Sequence, residues 1–126
     1  MTGSPEQDGI KKAVQCYVEA WNTADDDARR ALLELCWADH GVYVDPQLQA
    51  QGRDKLDRLI RAYHQHRPGL SVAIASVIDG HHKVFRFVWT LTDAETTIKA
   101  LDVGEVDARG MISRITRFFG AIPPER

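Results

Sequence analysis

At Pro68-Gly69 the chain changes its hydrophobic period, and that change excludes most architectures. Before it, apolar residues recur at helical spacing: Ile10, Val14, Tyr17, Val18 and Trp21, then Ala28, Leu32, Leu35 and Cys36, then Leu56, Leu59, Ile60 and Tyr63. From Leu70 onward they alternate, as strands require. Ser4-Pro5-Glu6-Gln7 reads as the first helix start, with a capping serine, a proline in the first turn and a glutamine three residues on. Asp25 to Asp27 can cap a second helix, and Gly52-Arg53-Asp54 opens a third. A short loop after the second helix leads to one strand signal inside this half, Gly41-Val-Tyr-Val-Asp45-Pro46, where proline fixes the acid in an extended conformation. Gln47 to Gln51 reads as a polar loop.

Turn signals then divide the second half. Asp79-Gly80 is a hairpin-type pair, and Asp93-Ala94-Glu95 and Asp107-Ala-Arg-Gly110 are further turns. They delimit strands over 70–78, 82–92, 96–106 and 111–119. Strands this long twist and curl. The expected fold is α+β: a curved antiparallel sheet, a cone, with three N-terminal helices packed on its concave face. The 126 residues suit a single domain, with 1–6 and 121–126 expected to be loose.

The formal net charge is -2 and no basic block exists, so nucleic acid and anionic membrane are poor partner expectations. No apolar run approaches the roughly 18 residues of a membrane span, and Met1 to Asp8 lacks the apolar core of a secretory signal. The expected compartment is cytoplasmic. Cys16 and Cys36 both sit in helical patterns, which points to two reduced, buried thiols. Adjacent His81-His82 point to opposite faces of a strand, so no metal site is expected, and no cofactor.

Symmetry of the 93–95 turn about Ala94 places Arg86 opposite Asp102 and Val88 opposite Ala100. The other face then carries Phe85, Phe87 and Trp89 with Val103, Leu101 and Lys99. Neither row is the polar row of a solvated face. One expectation is therefore a homodimer through the outer, aromatic face. The alternative is that bulges, at Gly104 or elsewhere, turn the aromatics into the core. Asp102 has apolar company, so it needs a partner or neutralisation. It is either one half of a cross-strand pair with Arg86 or a site residue facing the cavity.

Four pieces taken together resemble the nuclear transport factor 2-like superfamily, specifically its SnoaL-like and ketosteroid-isomerase-like members. They are Tyr17-Val-Glu-Ala-Trp-Asn, Trp37-Ala-Asp-His-Gly-Val-Tyr-Val-Asp45-Pro46, Gly52-Arg53, and Asp102-Val-Gly-Glu-Val-Asp-Ala-Arg-Gly110 before Ile112. The resemblance implies that Asp45 is a general base and that Tyr17 and Asp102 form an oxyanion hole, with Phe119 lining the pocket. For that role Asp102 must stay protonated, and an arginine opposite it argues against this. Arg86 is then the alternative electrophile, binding an anionic or carbonyl oxygen. Dehydratase-like and dehalogenase-like relatives use a His–Asp pair, which makes His64 and His82 substrate-binding candidates beside the reading as rim histidines.

Three functions follow as expectations. The first is cofactor-free proton transfer, isomerase or cyclase in type, on a small hydrophobic carbonyl compound. The second is a non-catalytic module holding a small ligand in the same cone. The third is a protein-interaction domain. Tyr17 as a satisfied core tyrosine and Asp45 as a loop-capping acid are the structural alternatives at those positions.

Overall fold

The computed structural model describes residues 4–125. Helix α1 spans Pro5–Asn22 and opens with the reciprocal capping box: Gln7 N–H donates to the Ser4 hydroxyl, and the Gln7 side chain accepts from Ser4 N–H. Pro5 and Glu6, expected to be loose, form its first turn. Residues 121–125 carry no regular structure; residues 1–3 and 126 lie outside the described chain. Helix α2 is Asp26–Cys36, with the Asp25 carboxylate accepting from Ala28 N–H.

The inward face of α2 differs from the expected one. Arg29, Leu33 and Cys36 are buried, whereas Ala28 is exposed and Leu35 is 72% exposed. The cause is a buried charge that apolar periodicity does not register. Arg29 donates to Asp57 at 2.7 Å, to Asp26 at 2.6 Å, and to the Thr23 and Ala24 carbonyls. This network ties α2 to helix α3, Arg53–His66.

Strands β1 (Trp37–Val44) and β2 (Gln49–Gln51) lie between those helices. No loop separates α2 from β1, and the expected polar loop 47–51 contains β2. Then follow β3 (Ser71–Ile74), β4 (Asp79–His81), β5 (Val84–Thr92), β6 (Thr97–Val106) and β7 (Ile112–Phe119). The sheet order is β2-β1-β7-β6-β5-β3, with β4 also on β5. The β1–β7 pair is parallel, so the sheet is mixed rather than wholly antiparallel. The helices cover one face, as the α+β expectation required.

The expected strand 70–78 is interrupted, because the Ser76 hydroxyl takes the Val88 N–H that a strand carbonyl would otherwise accept. Asp79-Gly80 is not the turn either. His82-Lys83 form a two-residue loop with φ of 48° and 67°, a primed-type hairpin. Gly80 serves packing instead: a Cβ there would lie 3.3 Å from Ile10 Cδ1 of α1. At the other end of α1, Asn22 clamps the edge strand β3, donating to Val72 O at 2.7 Å and accepting Val72 N–H at 2.6 Å.

Between β5 and β6 the turn has two central residues, so Thr92 pairs with Thr97 and the register moves by one from the expected one. Phe87, not Arg86, is opposite Asp102, and Trp89 is opposite Ala100. A one-residue slip exchanges the two faces. Phe85, Phe87 and Trp89 therefore belong to the core, and Arg86 stands on the outer face. Gly104 is where Phe85 crosses its neighbouring strand. A Cβ at Gly104 would collide with the Phe85 ring and come 2.7 Å from the Arg114 carbonyl. Gly104→Ala should lower stability by about 1–3 kcal/mol through overpacking, measured by urea denaturation; an unchanged midpoint would show that the strand crossing is slack.

Candidate functional site

The inward faces of α1, β1, β5, β6 and β7 bring seven polar or aromatic side chains together at the centre of the core. Arg117 of β7 is the hub. It is opposite Asp102 in the β6–β7 register and 2% exposed. Its Nε donates to Asp102 Oδ1 at 2.7 Å and its Nη2 to Asp102 Oδ2 at 2.9 Å, a bidentate fork. Trp89 Nε1 also donates to Asp102 Oδ1, at 3.2 Å. Asp102 thus accepts from three atoms that can only donate, and it serves as an acceptor here.

Three rings surround the guanidinium. Its Cζ lies 3.7 Å from the Trp89 ring centroid, 4.8 Å from that of Trp21 and 5.1 Å from that of Tyr43. Arg117 Nη2 also donates to Tyr17 Oη at 3.4 Å, while the Tyr17 ring stacks on Trp37 with centroids 5.5 Å apart. Burial works against the charge on Arg117, but Asp102 and the oxygens of Tyr17 and Tyr43 outweigh it and hold the guanidinium protonated. Burial pushes the Tyr17 and Tyr43 hydroxyls up, opposed in part by Arg117, so both remain proton donors at neutral pH.

Asp45 joins the cluster through Tyr43. Residues 43 and 45 share a face by strand period, and Tyr43 Oη donates to Asp45 Oδ2 at 2.7 Å. Asp45 Oδ1 accepts from Gln47 and Leu48 N–H, each at 2.8 Å. The acid is 8% exposed. Tyr63 on α3 packs edge-on against Trp21 at 5.2 Å. Burial raises its hydroxyl, which also feels the charges of Arg117 and Asp45. Tyr63 lines a hollow of about 420 Å³ with Leu48, Leu59, Ala62, His66 and Arg67.

Asp45, Tyr17 and Asp102 are therefore linked through Arg117 and Tyr43. Arg86 does not join them: its side chain is 68% exposed and pairs with Asp79 at 2.9 Å on the outer face. His82 is exposed in the β4–β5 turn, with its Nδ1 3.1 Å from that of His81. His64 Nε2 lies 2.8 Å from the Trp21 carbonyl; since a carbonyl only accepts, that nitrogen carries the proton. Phe119, at the end of β7 opposite Ala100, is 37% exposed. Cys16 is partly buried and Cys36 buried, and both are free thiols.

Sequence reasoning missed Arg117 and the link through Tyr43. The Tyr43 signal was present, since Tyr43 is two residues before Asp45. The Arg117 signal was not: pairing the strands around the Asp107–Gly110 turn places 115 opposite 102, and a register shift between Glu105 and Val106 brings Arg117 there instead.

Residues 14–115 match the family model described as a SnoaL-like domain. No curated protein matches the chain significantly. Among solved structures, a SnoaL-like family protein from Agrobacterium tumefaciens strain C58, whose name proposes an isomerase, is 30% identical. It covers 90% of this chain and 98% of its own, with a TM-score of 0.83. A protein from Jannaschia sp. CCS1, whose name proposes a SnoaL-like polyketide cyclase, is 11% identical over 94% and 90% of the two chains, with a TM-score of 0.79. One from Kribbella flavida DSM 17836, whose name proposes a ketosteroid isomerase, is 19% identical over 94% and 84%, with a TM-score of 0.71. The last two likenesses concern the fold alone. The family match over most of the chain, with the 30% identical relative, places this protein in the SnoaL-like domain family of the NTF2-like superfamily.

Proposed function

We propose that this protein is a cofactor-free enzyme of isomerase or cyclase type, moving a proton beside the carbonyl of a small hydrophobic compound. Asp45 is the base and the Tyr17 hydroxyl a donor to the carbonyl oxygen. The observation that carries this reading is the single buried cluster that joins Asp45, through Tyr43, to Tyr17. A carboxylate offers about four lone-pair directions. Three on Asp45 are occupied, which leaves one for a substrate proton. The name of the Agrobacterium relative, which proposes an isomerase, agrees with this class. The test is turnover of a panel of cyclic enones by the wild type and by Asp45→Asn.

A second reading rests on the same hydrogen bonds. Two of the three Asp45 partners are backbone N–H groups of its own loop, as in a structural cap. A binding module would retain a ligand in the cone and release it unchanged.

The partner is read as a small, mostly apolar molecule, and a second copy of the chain is proposed on the outer sheet face. That face presents Val103 and Phe118 exposed, near the Arg86–Asp79 pair. Sedimentation at micromolar concentration should give a dimer mass, and Val103→Glu should shift it to monomer. A monomer mass for the unchanged chain removes the pairing.

A further inference from the structure

Three buried side-chain nitrogens have no hydrogen-bond partner among the described residues: Trp21 Nε1, Trp37 Nε1 and Arg117 Nη1. All three are donors, so whatever completes this core must bring acceptors. An N–H left unpaired inside a protein costs about 1–3 kcal/mol. The Trp21 N–H faces the Tyr17 hydroxyl and favours its ionised form as a hydrogen bond would, but falls short of hydrogen-bond geometry. Arg117 stands apart from the two indoles because its open N–H carries charge. Its other two polar nitrogens are held by Asp102 and Tyr17, which fixes the plane of the guanidinium and therefore the direction of Nη1.

The geometry points to Arg117 as the catalytic electrophile of the site, taking the oxyanion through its open Nη1–H in place of the second acid, which Arg117 itself engages. This rests on the proton-transfer reading above. Asp102 is already engaged by three donors from Arg117 and Trp89, so it is not open to a substrate oxygen. In the step, the C–H bond beside the carbonyl breaks and its proton passes to an Asp45 oxygen. The bonding pair forms the C=C bond, and the carbonyl π pair moves to oxygen, which Nη1–H and the Tyr17 O–H then hold. Access is part of the proposal: neither Arg117 nor Tyr17 lines the hollow, whose wall includes Tyr63, which packs on Trp21, whose ring covers Arg117. A substrate reaches Nη1 only when these rings move aside.

The probe is 4-nitrophenol, whose phenolate imitates an enolate oxygen and reports its own ionisation by absorbance. Binding is measured across pH in Asp45→Asn, where no carboxylate base competes at position 45. The expected result is phenolate bound about 10- to 1000-fold more tightly than the neutral phenol, as an adjacent arginine does for acids. Arg117→Lys in that background keeps the charge facing Asp102 but loses the fork, and circular dichroism checks its fold. It should cut the preference about tenfold or more, leaving what Tyr17 supplies. Equal binding of the two forms, no saturable binding, or a preference untouched by Arg117→Lys in a folded protein overturns the assignment. The base reading fails separately, if Asp45→Asn turns over enones like the wild type.

Discussion

Replacing Asp102 with alanine is expected to destabilise the fold by about 3–5 kcal/mol, a large fraction of what a domain of this size possesses. The cost comes less from the ion pair itself than from what remains. Arg117 would stay charged, enclosed by Trp21, Tyr43 and Trp89, with its Nε and one Nη hydrogen bond gone. Trp89 Nε1 would lose its acceptor as well. The double replacement Asp102→Leu with Arg117→Met removes both charges and should regain most of the loss, since buried pairs are often matched by apolar residues of similar volume. Urea denaturation of the three proteins measures this. A loss under about 1 kcal/mol for the single variant would mean that water reaches the pair and that the cluster is not sealed. Recovery in the double variant would also show that the pair itself adds little net stability.

Asp45→Asn is expected to lower turnover of a reactive enone by about 10²- to 10⁴-fold, the range associated with a positioned general base. The substitution is nearly isosteric. The Asn oxygen still accepts from Gln47 and Leu48 N–H, and the Tyr43 hydroxyl can turn to accept from the new amide. The loop should therefore survive, and melting should shift little. A stable variant with unchanged turnover would remove Asp45 as the base and leave it as a cap. A wild type that binds enones and converts none would favour the binding module.

The helix starts were legible because they are local. The Ser4–Gln7 box needs only residues three apart, and it formed as expected. The Asp93 turn was legible in place but not in length. Reading it as symmetric about Ala94 displaced the register by one and exchanged the faces of β5, so Arg86 was set against Asp102 and the core aromatics were set outside. The face of α2 failed for another reason, since its most deeply buried residue is an arginine held by Asp57 of another helix.

Local chemistry within the chain determined that helices precede a sheet, where most turns fall, and that Asp45 ends a strand. Caps, glycines and hydrophobic period act over a few residues, and their energies need no distant partner. Tertiary structure alone decided which arginine meets Asp102, that β1 runs parallel to β7, and that one guanidinium nitrogen is left open. Those outcomes depend on the register between strands far apart in sequence, where a shift of one residue reverses every side chain.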